Sequence, residues 1–157
     1  MKQLTVGSVV SIHVAPGRGT PTTSIAQVRA VPGKGLVGDR HFGRSKGDSD
    51  APRPDREITL VEVETIEALA RDYGVRLEPG DVRRNIVTRG VALNHMVERR
   101  FSVGEVVLLG LRLCEPCAHL AELTHDNVLR GLVHRGGLRA QILTEGVIRV
   151  GDEVSAG

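Results

Sequence analysis

The sequence has no tryptophan, one tyrosine and two phenylalanines, so aromatics make up only 2% of its 157 residues. That scarcity argues against a surface of stacking rings, the usual way single-stranded nucleic acid is held. It also leaves the core to Val, Leu and Ile. No apolar stretch reaches the roughly 20 residues that span a bilayer as a helix. The first residues lack the basic-then-apolar pattern of a secretory leader, so no membrane segment is expected. Cysteine is scarce as well, with two in all, spaced Cys114-Glu115-Pro116-Cys117. One CxxC pair is no disulfide framework and fits a reducing, cytoplasmic setting. Lysine is nearly missing: Lys2, Lys34 and Lys46 are three of 21 basic residues and the rest are arginine. Arginine's planar fork matches phosphate and carboxylate oxygens in pairs, although a GC-rich genome produces the same bias. The formal charge of +2 is too small to imply a polyanionic partner, and no nucleic acid is expected.

A chain of this length buries about 70% of the surface it exposes when unfolded, and one domain over residues 1–157 is expected. Leu4 to Val14, with the β-branched run Val9-Val10-Ser11-Ile12-His13-Val14, reads as a strand ending at a Pro/Gly loop. Ile25 to Val31 alternates and gives a second strand. Gly38 to Arg56 is polar and rich in Asp, Arg, Gly and Pro, a long loop of the kind that usually binds something. Glu57 to Leu60 restarts a strand. Val61 to Tyr73 places Val63, Ile66, Leu69 and Ala70 at helical spacing, with Gly74 as the stop signal. Further strands are expected at Arg84 to Thr88, Arg99 to Gly104, Glu105 to Cys114, Leu138 to Leu143, Gly146 to Val150 and Gly151 to Val154. Short helices are expected at Ala118 to Leu123 and Asp126 to Val133, with Asp126 as a cap for the second. Many short strands with Gly-rich turns and few helices indicate a mainly β protein, a closed or nearly closed barrel with attached helices.

Three groups of residues carry candidate chemistry. Cys117 ends an apolar run just before Ala118-His119-Leu120. A thiolate is the reactive and metal-binding form, and a helix opening at Ala118 would lower the thiol's pKa while Glu115 opposes it. A small buried hydrophobe is the competing reading. Cys114, Cys117, His119, His125 and His134 also compose a Cys/His set for zinc, but His119 follows Cys117 more closely than finger spacing allows. A thioredoxin-like redox pair would need a βαβ setting. Arg83-Arg84-Asn85 with Arg89 is the second group. At a strand start, alternation points Arg83 and Asn85 to one side and Arg84 to the other, where they either hold a phosphate or carboxylate or form a solvated edge. The third group is Gly35-Leu36-Val37-Gly38-Asp39-Arg40-His41-Phe42-Gly43. Its glycines, with Arg40 and His41, make either an anion cradle or a turn capped by Asp39. It lacks the Gly-Lys-Ser/Thr ending of a phosphate-binding P-loop. His13 and His95 have no partner in sequence and read as surface or packed histidines.

In this order the segments resemble the MOSC domain, the family named for the C-terminal domain of molybdenum-cofactor sulfurases. Val10-Ser11-Ile12-His13 with the Gly-rich loop resembles the opening strand of small stand-alone members. Gly35-Leu36-Val37-Gly38-Asp39-Arg40-His41 resembles the family's G-[IL]-x-G-D-x-H segment. Arg56 to Val61, Pro79-Gly80-Asp81 and Arg84 to Gly90 follow in the expected order. Cys117 aligns with the family's hallmark cysteine, and Gly137 to Ala140 through Gly146 to Asp152 resembles the closing strands. The larger reductase-type members carry H-G-G-x-x-R-A in the long loop, where this chain has Lys46-Gly47-Asp48-Ser49-Asp50-Ala51-Pro52-Arg53.

The resemblance implies a β-barrel and a cysteine that carries sulfur or coordinates molybdenum, with a molybdopterin cofactor as the ligand. Some relatives reduce N-hydroxylated compounds, so a molybdenum-dependent oxidoreductase and a sulfur transferase are both open. On this expectation Cys117 is the working sulfur, either a molybdenum ligand or the carrier of a persulfide. Arg84 and Asn85, with Arg40, His41, Gly38 and Asp39, line the anion end of the pocket. His119 protonates a leaving group or tunes the thiolate, and Cys114 is either a resolving thiol or packing. The expected partners are a pterin cofactor or another small molecule, and a sulfur-donor protein. The expectation requires the sulfur at position 117 to face an open, cationic mouth of the barrel. The alternative is a non-catalytic zinc- or small-ligand-binding β-barrel.

Overall fold

A computed structural model describes residues 6–17, 19–43, 54–114 and 136–156. The described elements run β1 (Val6–Val14), β2 (Thr23–Ile25), β3 (Gln27–Val31), β4 (Gly35–Leu36), β5 (Ile58–Glu62), α1 (Val63–Tyr73), β6 (Ile86–Arg89), β7 (Arg100–Val103), β8 (Val106–Leu113), β9 (Leu138–Ile142), β10 (Gly146–Arg149) and β11 (Glu153–Ser155). Seven strands close into a barrel in the order β1-β11-β7-β8-β9-β5-β6, because β1 pairs with both β11 and β6. Closure removes the exposed edges that an open sheet would leave. Every neighbouring pair in the ring is antiparallel except β5–β6, which is parallel and joined through α1. A parallel pair needs such a crossover. β10, β3 and β4 form a separate three-stranded sheet, and β2 extends the barrel sheet from β1. The mainly β barrel is therefore as expected.

The barrel interior is aliphatic, as the lack of aromatics requires. Register aligns Leu138 with Leu60, Leu60 with Ile86, and Ile86 with Ile12 across four strands. All four are fully buried, together with Phe101, Leu108 and Val154. Phe101 is the one ring in the core, while Tyr73 is 41% exposed. Residues one position away on the same strands point outward. Val61, paired with Val87, packs on the outer face against Val63 and Ile66 of α1. A shift of register between Val9 and Ser11 in β1 resets the alternation. Val9 and Ile12 lie in the core, whereas Val10 packs with the α1 cluster. The bulge therefore turns Ser11 and His13 to the outside.

Several boundaries differ from the expectation. The helix starts at Val63 rather than Val61, because Val61 and Glu62 complete the parallel ladder with β6. The expected strand Ile25 to Val31 divides at Ala26 into β2 and β3, which belong to different sheets. Arg84 and Asn85 precede β6 rather than opening it. They follow a 3-10 turn, Pro79–Val82, that ends at Arg83 in the left-handed region (φ 59°, ψ 36°). The expected helices at Ala118 to Leu123 and Asp126 to Val133 lie outside the described residues. No helix among the described residues is long and apolar enough to cross a membrane.

Glu57 fastens the small sheet to the barrel. It is buried, and its Oε1 accepts hydrogen bonds from the backbone N–H groups of Gly33 (3.3 Å) and Ile142 (3.1 Å). Burial pushes its carboxyl above the usual range, and the two backbone donors oppose that shift. A raised acid binds more protons folded than unfolded, so its contribution to stability declines as pH rises from the ordinary carboxylate value through the raised one. Glu57→Gln keeps an acceptor and removes the buried charge. Its thermal midpoint at pH 7 is expected to equal or exceed the parent's, with the difference shrinking toward pH 4. Glu57→Ala, which orphans both donors, is expected to cost about 1–3 kcal/mol. Thermal melts from pH 4 to 8 check both outcomes.

Candidate functional site

One transverse layer of the barrel wall carries the polar side chains. Arg139 of β9 pairs with Thr59 of β5, and Thr59 is bonded to Asn85, which in turn is bonded to His13 of β1. This layer alternates with the buried Leu138–Leu60–Ile86–Ile12 layer, so its side chains face outward. Asn85 staples the layer. Its Oδ1 accepts from the backbone N–H (3.0 Å) and hydroxyl (3.1 Å) of Thr59, and its Nδ2 donates to the carbonyl of His13 (3.1 Å). The backbone N–H of His13 donates to the carbonyl of Asn85 at 2.7 Å.

The segment after β4 folds over this face. Asp39 Oδ1 accepts from the backbone N–H of Ala15 (3.0 Å) and Oδ2 from that of His41 (3.3 Å). The backbone N–H of Arg40 donates to the carbonyl of Ala15 at 2.8 Å. Gly38 supplies the positive φ of 93° that the turn needs, and a Cβ there would meet nothing within 4 Å.

Between the folded-over segment and the wall lies a cavity of about 170 Å³. Five arginines line it, Arg40, Arg56, Arg83, Arg84 and Arg139, together with His41, His13, Thr22, Thr59, Asn85 and a single carboxylate, Asp39. Arg84 Nε donates to the carbonyl of Gly136 (2.8 Å) and Arg139 Nη1 to the carbonyl of Asp55 (3.1 Å). Arg83 Nη1 donates to the carbonyl of Thr20. Arg139 Nε is buried with no hydrogen-bond partner. Burial, and secondarily Arg40, holds the His41 imidazole below its ordinary pKa; Asp39 opposes this, and Arg56 and Arg139 add to it. Burial also lowers His13. At neutral pH both rings are uncharged.

A second chamber of about 510 Å³ adjoins the first, with His13, Thr22 and Arg83 lining both. Ser11, Ser24, Glu78, Gly80 and Asp81 complete much of its lining. Ser11 Oγ and His13 Nε2 lie 2.8 Å apart. A Cβ at position 80 would sit 2.6 Å from Thr22 Oγ1 and 3.2 Å from His13 Nδ1, so glycine keeps this wall clear.

The structure thus brings together Arg84, Asn85, Asp39, Arg40 and His41, while Gly38 shapes the turn without lining the cavity. Asn85 and Asp39 are committed to backbone partners, which makes them builders of the cavity. The alternation expected for Arg83, Arg84 and Asn85 does not hold: the left-handed backbone at Arg83 lets all three line one space. His13 reads from the sequence as a surface or packed histidine, and neither Arg56 nor Arg139 is named there as a site residue. All three fall within segments that carry the family resemblance, without being marked in it as part of a site. The arginines gather where β9, β5, β6 and β1 meet the folded-over segment; the position of Cys117 relative to them lies outside the described residues.

Cys114 is fully buried at the end of β8, and its backbone N–H donates to the carbonyl of Gly137 at 2.7 Å. Cys117, His119, His125 and His134 lie outside the described residues. Among the described residues, no three His, Cys, Asp or Glu side chains gather to hold a metal ion.

The sequence matches the MOSC domain family model over residues 37–155. A search of curated proteins finds no match. Among solved structures, the fold is similar to the YUAD protein from Bacillus subtilis, with TM-score 0.84 and 20% identity over 99% of this chain and 97% of that one. YiiM from Geobacillus stearothermophilus follows at 0.73 and 17%, covering 96% and 75% of the two chains. YiiM from Escherichia coli superposes at 0.66 and 16%, covering 100% and 70%.

Proposed function

The chain belongs to the MOSC domain family, and we infer that it holds an anionic molybdenum-type pterin cofactor, or sulfur destined for one, against the arginine-lined wall. The family is associated with molybdenum-cofactor-related function. The observation that carries this reading is the convergence of five arginines on one cavity whose single carboxylate, Asp39, is already committed to backbone N–H groups. Such a surplus of cations favours an anionic ligand.

The donor set fits the phosphate of a pterin cofactor. Arg139 Nε, buried and without an acceptor, is a free donor at the wall, and Arg84 and Arg40 add further forks for paired, charge-assisted bonds. When bound, such a cofactor supplies a soft metal–sulfur centre able to exchange electrons, oxygen or sulfur. The chain itself contributes the fixed guanidinium groups, the neutral His41 imidazole, and a soft thiolate at Cys117. The ends of the segment carrying Cys117 support its place in this site. Arg84 of the cavity grips Gly136, and Gly137 accepts from Cys114. Three peptide units limit Cys117 to about 11 Å from Cys114, Cα to Cα.

In the sulfur-carrier form of this reading, the Cys117 thiolate attacks the terminal sulfur of a donor persulfide. A new S–S bond forms on Cys117 and the donor thiolate leaves, with no net oxidation. The burial of Cys114 supports packing rather than resolution of that persulfide. The test is the molybdenum, pterin and labile sulfur content of freshly purified protein made with molybdate available. Cys117→Ser is expected to lose most of its molybdenum and labile sulfur. Full retention of all three by the variant overturns the reading.

A further inference from the structure

Arg83 combines features that work against stability. Its backbone is left-handed (φ 59°), a conformation that disfavours any residue with a Cβ and suits glycine. Its guanidinium is partly buried beside Arg40, and both the burial and that neighbouring cation oppose its charge while Asp39 supports it. Its hydrogen bond to the carbonyl of Thr20 works in the opposite direction. What the position gains is placement. Alone among the arginines of the two cavities, Arg83 lines both the 170 Å³ arginine cavity and the adjoining 510 Å³ chamber.

The smaller cavity has room for little more than one anionic group. A single phosphate dianion there leaves a surplus of positive charge from Arg40, Arg56, Arg84 and Arg139. A ligand that extends into the larger chamber passes His13, Thr22 and Arg83, of which Arg83 is the one guanidinium. Beyond them it meets Glu78 and Asp81, so a second anionic group is held best at Arg83 itself. We propose that Arg83 is a specificity residue selecting ligands with two linked anionic groups: one held in the arginine cavity, the second held by Arg83 where the chambers meet. Diphosphates are the matching class. This rests on the anion-holding reading of the cavity given above.

The experiment compares inorganic phosphate and pyrophosphate by titration calorimetry on the full chain, parent and Arg83→Gly, with no added metal. The parent is expected to bind pyrophosphate about tenfold more tightly than phosphate, the value of one good charge-assisted contact. In Arg83→Gly that preference is expected to fall to about twofold or less, pyrophosphate affinity dropping by a larger factor than phosphate affinity. The ligand-free thermal midpoint of the variant is expected to equal or exceed the parent's, since glycine relieves the backbone. A merely structural Arg83 would instead lower the midpoint and leave the preference intact. If Arg83→Gly does not fold, Arg83→Asn, which tolerates this backbone, is read in its place. A parent that does not distinguish the two anions, or a folded variant that keeps the preference, overturns the proposal. Should the parent bind neither anion, the anion-holding reading itself fails.

Discussion

Asn85→Ala is expected to destabilise the protein by about 3 kcal/mol, measured as a lower urea midpoint with an unchanged slope. The magnitude follows from the groups left behind. The carboxamide satisfies the backbone N–H and hydroxyl of Thr59 and the carbonyl of His13. Alanine removes all three bonds in a half-buried layer, while the bond from the backbone N–H of residue 85 to Thr59 Oγ1 (3.1 Å) survives. Each orphaned group costs about 1–3 kcal/mol where water cannot reach it and less where it can. The neighbouring layer sharpens the effect, since Leu60, Ile86 and Ile12 are fully buried just beneath and tolerate little movement. Asn85→Asp separates the roles. Aspartate keeps the acceptor for Thr59 but sets a negative charge against the carbonyl of His13, so an intermediate loss is expected. A loss below about 0.5 kcal/mol for Asn85→Ala, the ordinary range for surface changes, would mean that Asn85 acts on a ligand and not on the wall.

This division of labour explains what was legible in the sequence. Local features were readable: the glycines of the turn and the bond from His41 N–H to Asp39 lie within one short segment, whereas the other Asp39 bond, from Ala15, is not local. The barrel class was readable from short strands with Gly-rich turns. The site was only partly so, because closure builds it. Arg139 reaches the cavity through pairing with Thr59, 80 positions away, and register at that distance leaves no mark in local periodicity. His13 depends on a bulge that shifts alternation by one residue; an unbulged strand would have put it in the core and Ile12 outside. Arg83 misled the alternation argument for a related reason, since a single left-handed residue places three consecutive side chains on one space. What remained hidden depends on non-local pairing or on one backbone torsion, and composition encodes neither.

The second large effect is a coupling between anion binding and protons at the arginine wall. Without ligand, burial and the arginines keep His41 uncharged to a lower pH than usual, and burial does the same for His13. The unfolded chain therefore binds more protons than the folded one below about pH 6.5. Stability is fully present above that value and falls as pH drops through the lowered folded values. Burial, the larger cause for His41, remains when a dianion binds. The dianion nevertheless offsets Arg40, Arg56 and Arg139, the cations that add to it, and brings a direct attraction, so the His41 pKa rises relative to the ligand-free protein. Sulfate is the suitable probe, since its charge is constant over this range. Its affinity is expected to rise by about tenfold between pH 7.5 and pH 5.5, equivalent to an average uptake of about half a proton over that range as His41 titrates. Calorimetry in buffers of different ionisation enthalpy measures that uptake directly. His41→Gln should remove most of the pH dependence, leaving sulfate affinity near the parent's value at pH 7.5, where the ligand-free ring is uncharged. Arg139→Gln, by contrast, should weaken sulfate binding about tenfold at every pH, through loss of one charge-assisted donor. A pH-independent affinity in the parent would place the anion beyond the reach of His41 and separate this ring from the cavity's chemistry.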